Sequence, residues 1–103
     1  MKKFKNLKFL INNDGIARIS IDDPKTYNSL SLETINSLSS VLHFLDKDNK
    51  SKVVIIEGRG KGFSAGHNLK EINSFKKKTS YRKLFYDCSK LMMQITNHKK
   101  PII

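Results

Sequence analysis

The sequence predicts an α/β chain, and three observations carry that reading. Apolar and polar residues alternate along "IARISID", the run "VVII" is apolar at every position, and two further stretches repeat apolar residues every three or four positions. The first pattern fits a half-buried strand, the second a strand covered on both faces, and the third amphipathic helices.

In chain order, "KFLI" and "IARISID" flank "NNDG", whose Asp14-Gly15 pair suits a tight turn, so a β-hairpin is expected first. Ser31 is placed to cap a helix with Glu33 in its first turn, and Ile35, Leu38, Leu42 and Leu45 give it one apolar face. The strand "KVVIIEG" follows, with a parallel neighbour expected. Asn68 with Glu71 three positions later has the spacing of a capping box, which predicts a short helix from Leu69 that ends before the lysines at 76–78. A longer helix then carries Tyr81, Leu84, Phe85, Cys88, Leu91, Met92 and Ile95 on one continuous stripe and ends near Asn97. "PII" opens another strand, and the chain stops on it. Residues 1–103 therefore read as part of a larger domain, without repeats or a disordered linker.

With 103 residues and 38% hydrophobic content, one modest core is expected. The formal net charge of +11 points to an anionic partner: nucleic acid, an acidic membrane surface or a phosphorylated small molecule. A nucleic-acid binder is disfavoured, because no aromatic residues interleave with the basic ones along "IARISID". Cys88 is the single cysteine, which excludes an internal disulfide, and no cysteine and histidine cluster has metal-ligand spacing. The N-terminus lacks a signal-peptide core and the Arg-rich, Ser-rich pattern of a transit peptide, and no membrane-spanning run exists. A cytoplasmic protein is expected.

The densest feature is "GRGKGFSAGHNLKEI", which holds four of the five glycines within residues 58–66. Such a loop either turns a corner between strand and helix, or brings its backbone N–H groups close to a ligand. Its setting narrows the choice. "IDDPKTYNSLS", then "VVIIEGRGKGFSAGHNLKEI", then "YDCSKLMMQITNHKKPII", in this order, resemble the N-terminal part of the enoyl-CoA hydratase/isomerase (crotonase) superfamily, from about Asp14 to Ile103.

The resemblance implies the N-terminal portion of a crotonase (ClpP-like) α/β fold, covering less than half of a family domain. It implies acyl-CoA thioesters as substrates, in hydration or double-bond isomerisation within fatty acid metabolism, with family trimers as the usual assembly. Coenzyme A then enters as part of the substrate, and no separate cofactor is expected. By the same resemblance Ala65 matches a backbone N–H donor to the thioester oxygen, where negative charge develops as an enolate forms. Lys25 would approach the CoA phosphates, Thr26 and Tyr27 would line the adenine side, and Ser64, Gly66, His67, Asn68 and Leu69 would complete the ligand-facing loop.

Asn68 stands where many hydratases have aspartate, and His67 where many have alanine. His67 has a usable intrinsic acidity, but no orienting carboxylate is evident, and a loop histidine without chemistry is the plainer reading. Glu57 and Glu71 read as strand-end and helix-cap residues, Cys88, Met92 and Met93 as packing, and Lys99 and Lys100 as an exposed helix end. The second oxyanion donor and the proton-moving carboxylates of the family lie beyond the "PII" strand. The chain is therefore expected to be inactive alone, and to pair with a relative or with a complementing C-terminal fragment.

Overall fold

A computed structural model describes residues 4–103. Strand β1 (Leu7–Ile11) and strand β2 (Ile16–Ile21) form the expected hairpin, followed by a 3-10 turn at Pro24–Thr26 and helix α1 (Leu32–Lys47). Strand β3 (Val53–Gly58), helix α2 (Leu69–Ser74) and helix α3 (Lys78–Thr96) come next. Asn12 closes the hairpin turn, its Oδ1 accepting from the N–H groups of Asp14 and Ile16 at 2.9 Å each.

The sheet has the order β1-β2-β3, with β1 antiparallel to β2 and β2 parallel to β3. Beyond β3, Ile102 makes a parallel bridge to Val54, so the "PII" segment does begin a further strand position. Each crossover advances the sheet in the same direction, and right-handed crossovers of that kind lay their helices on one face. Burial agrees. Ala17, Ile19, Ile21 and Val54 form one core with Ile35, Leu38, Val41, Leu42 and Leu45 of α1 and with Leu84 and Leu91 of α3.

That placement corrects the expectation that "VVII" is covered on both sides. Val54 is buried, whereas Val53 and Ile55, on the other face, are only half-buried, because among the described residues both long helices pack on the same face; Ile56 faces the core but is half-buried as well. The opposite face carries exposed Leu10 and a polar trio: Arg18 Nη1 and the Ser20 hydroxyl donate to the two oxygens of Glu57 at 2.7 Å each. Ser20 and then Arg18 hold the Glu57 carboxyl below its usual range.

Local capping follows the sequence. Ser31 Oγ accepts from the Thr34 N–H at 3.2 Å at the start of α1, and Asn68 Oδ1 from the Glu71 N–H at 3.1 Å at the start of α2. At the other end of α1, Asp48 accepts from the N–H groups of Ser51 and Lys50, which holds its carboxyl below its usual range, Ser51 contributing most.

Lys100 is not an exposed helix end. Its ammonium donates to the carbonyls of Leu45 and Asp48 and to the Ser51 hydroxyl, so a lysine from the far end of α3 closes the last turn of α1. Beside it, His98 Nε2 meets the Leu42 carbonyl at 2.9 Å while Nδ1 accepts from the Lys100 N–H. The proton therefore sits on Nε2.

The stripe on α3 is also narrower than its sequence suggests. Leu84 and Leu91 are buried and Cys88 is half-buried, but Phe85 and Met92 remain 47% and 44% exposed. The arc of apolar residues on α3 is wider than the surface that α1 offers it.

Candidate functional site

Because β2 and β3 run parallel, both end at the same edge of the sheet, and the segments that follow them meet there. The first is the Pro24–Thr26 turn with Tyr27 and Asn28, both in the left-handed region at φ 55° and 58°. The second is the glycine loop. At its root, a Cβ on Gly58 would lie 2.2 Å from the Phe63 carbonyl oxygen, so only glycine lets the loop fold back over the strand end.

Asn28 ties the two segments together. Its side chain is buried, its Oδ1 accepts from the Asp23 N–H at 2.9 Å, and its Nδ2 donates to the carbonyls of Arg59 and Gly62. The sequence marks this residue only as a turn former. Asparagine tolerates left-handed backbone, and here it also satisfies the loop carbonyls.

The loop is then clamped peptide by peptide. The Ser64 hydroxyl donates to the Asn28 carbonyl at 2.6 Å, and its oxygen accepts from the Gly66 N–H. The Ala65 N–H donates to the Tyr27 carbonyl at 3.0 Å. An amide has one hydrogen, so Ala65 is not the open donor that the resemblance assigned. This corrects that assignment.

One residue further on, the geometry is different. Gly66, at φ 86°, turns the chain so that its carbonyl accepts from the Leu30 N–H at 2.7 Å. In a trans peptide C=O and N–H point in opposite directions, so the His67 N–H of that same unit faces away from Leu30. It has no hydrogen-bond partner among the described residues. His67 thus carries an open amide on an anchored peptide unit, as do Gly60 and Phe63, whose preceding carbonyls are held by Asn28.

The other expected ligand residues divide. A cavity of about 470 Å³ lies between the segments, lined by Tyr27, Arg59, Lys61, Ser64 and Ala65 among others. Lys25 is exposed but does not line it, and Arg59 and Lys61 supply the positive charge there instead. Thr26 is engaged structurally, its hydroxyl donating to Asp23 at 2.7 Å and accepting from Ser29. Asn68 caps α2, Leu69 is 71% exposed, and Glu71 accepts from the Leu32 N–H at 3.1 Å. No group of acidic, histidine and cysteine residues suited to a metal occurs among the described residues.

This mixed α/β sheet with its two long helices on one face belongs to a recognisable class, the N-terminal portion of the crotonase fold. The chain belongs to the enoyl-CoA hydratase/isomerase family, whose sequence profile matches residues 11–103. It is 44% identical over 91 residues to human enoyl-CoA hydratase domain-containing protein 3, mitochondrial, a match covering 87% of this chain and 30% of that protein. A probable enoyl-CoA hydratase of Bacillus subtilis is 35% identical, covering 85% of this chain and 34% of the relative.

Among solved structures, the human enoyl coenzyme A hydratase domain-containing protein 3 superposes with a TM-score of 0.87 at 37% identity, covering 95% of this chain and 38% of that one. An enoyl-CoA hydratase from Bacillus anthracis gives 0.89 at 25% identity, with the same two coverages. The chain spans about a third of the length of the relatives it matches.

Proposed function

We propose that this chain forms the half of an acyl-CoA site that grips the thioester, and that it performs no hydration or isomerisation alone. The observation that carries this reading is the Gly66–His67 peptide, anchored through its carbonyl to Leu30 with its N–H left open. An N–H held in that way needs no reorganisation to meet negative charge developing on a thioester oxygen. Tyr27, Arg59 and Lys61 around the cavity suit the adenine and phosphates of coenzyme A, in an apolar hollow with a cationic rim. Lys25 is left as a looser, exposed contact.

Adding water across an enoyl double bond needs a positioned acid and base. His67 and Glu71 do not form such a pair: Glu71 is engaged with Leu32 and its own helix, and no carboxylate orients His67. The second donor and the proton-moving groups are assigned to a complementing C-terminal polypeptide or to a full-length relative in a mixed oligomer.

Purified chain mixed with but-2-enoyl-CoA should bind it weakly and leave the ultraviolet absorbance of the conjugated thioester unchanged. A chimera carrying a relative's C-terminal part after Ile103 should hydrate it. There His67→Pro, which removes the amide hydrogen, should lower kcat by about 10²–10³. Hydration by the chain alone, or full kcat in the proline chimera, would overturn the reading.

A further inference from the structure

We infer that the His67 imidazole is a specificity-determining group, reading an oxygen substituent on the acyl chain through its Nε2. The inference rests on the acyl-thioester site proposed above, and three observations support it. The Nδ1 of His67 is sealed from solvent and has no hydrogen-bond partner among the described residues. The ring stands edge-to-face with Phe85 of α3, at 5.5 Å between centroids and 86° between planes, a contact that favours this orientation. Nε2 makes no hydrogen bond among the described residues either and is not among the sealed atoms, which leaves it as the one ring nitrogen a ligand can reach.

His98 supplies the contrast within the same chain. Its side chain is more enclosed still, and both nitrogens are bonded, one to the Leu42 carbonyl and one to the Lys100 N–H. A histidine that serves packing is fully satisfied here. His67 is held in place with one nitrogen buried and the other waiting, on a residue that also carries an open amide.

Covalent geometry keeps Nε2 within about 6 Å of that amide nitrogen. A thioester whose oxygen is held by the amide therefore brings the first carbons of its acyl chain within reach of the ring. A hydroxyl there can donate or accept, and so matches Nε2 in either tautomer. A plain hydrocarbon chain would strip water from Nε2 and return nothing, and sites built around a polar partner reject analogues that lack it.

The test titrates the full chain with butanoyl-CoA and with 3-hydroxybutanoyl-CoA while following binding and the imidazole nitrogen resonances. The hydroxylated ligand should bind on the order of tenfold more tightly, the factor given by one added hydrogen bond. It alone should shift the His67 Nε2 resonance. His67→Leu fills the space against Phe85 without a nitrogen and should reduce the preference to within about twofold, whereas His67→Gln, which offers an amide at similar reach, should retain part of it. Equal binding of the two ligands to the wild-type chain, or a preference that survives in His67→Leu, would overturn this inference and leave the thioester site standing. Binding of neither ligand would overturn both.

Discussion

At the scale of single residues, the site depends on side chains that never touch a ligand. Asn28 holds Asp23, Arg59 and Gly62 at once from a buried left-handed position. Asn28→Ala should lower stability by about 2–3 kcal/mol, combining lost buried hydrogen bonds with left-handed strain. Asn28→Gly, which has no Cβ to strain, should recover about 1 kcal/mol of that loss. Denaturant midpoints would show this order, and an alanine variant as stable as wild type would mean the loop is held by something else. The sequence pointed to the right loop because glycine density and flanking motifs are local properties. It did not show which loop amides are engaged and which stay open, because the direction of the Gly66–His67 peptide is set by Leu30, at the foot of another helix.

At the scale of elements, the capping residues Ser31 and Asn68 were legible in advance because a cap bonds within its own first turn. The closure of α1 by Lys100 was not, since it joins the two ends of different helices. Lys100→Met should destabilise the chain by about 1.5–3 kcal/mol, the range for hydrogen bonds to a charged group. The change should also be directional. The N–H groups of Val54 and Ile56 bond to the carbonyls of Pro101 and Ile103, so their hydrogen exchange should quicken more than that of Ile35, whose partner is Ser31. Equal acceleration at all three sites would show that Lys100 acts on global stability without positioning the final segment. The half-covered "VVII" strand and the narrow contact of α3 were misread for a related reason: apolar pattern reports what a segment can bury, and only the neighbours decide what it does bury.

At the scale of the molecule, two tendencies oppose each other. Phe85, Tyr86, Met92 and Met93 on α3 and Leu10 on the sheet are exposed, which favours association through apolar contact. A net charge of +11 on 103 residues opposes it by mutual repulsion. Salt weakens only the second, the screening length falling from about 10 Å at 0.1 M to about 3 Å at 1 M. Sedimentation should therefore show small species at low salt and larger ones as sodium chloride rises, and a size distribution independent of salt would contradict this balance. The chain ends bear on how such measurements are made. Leu7 pairs with Ile21, so β1 starts at the sheet edge that carries the open His67 amide, and residues added after Ile103 would run along β3 toward that same edge. The opposite edge is formed by the turn at residues 12–15 and the loop at 48–51, joined where Lys52 and Val53 donate to the Gly15 carbonyl. A fluorophore or surface tether belongs on that side, where immobilising the chain leaves the His67 amide open to a ligand in solution.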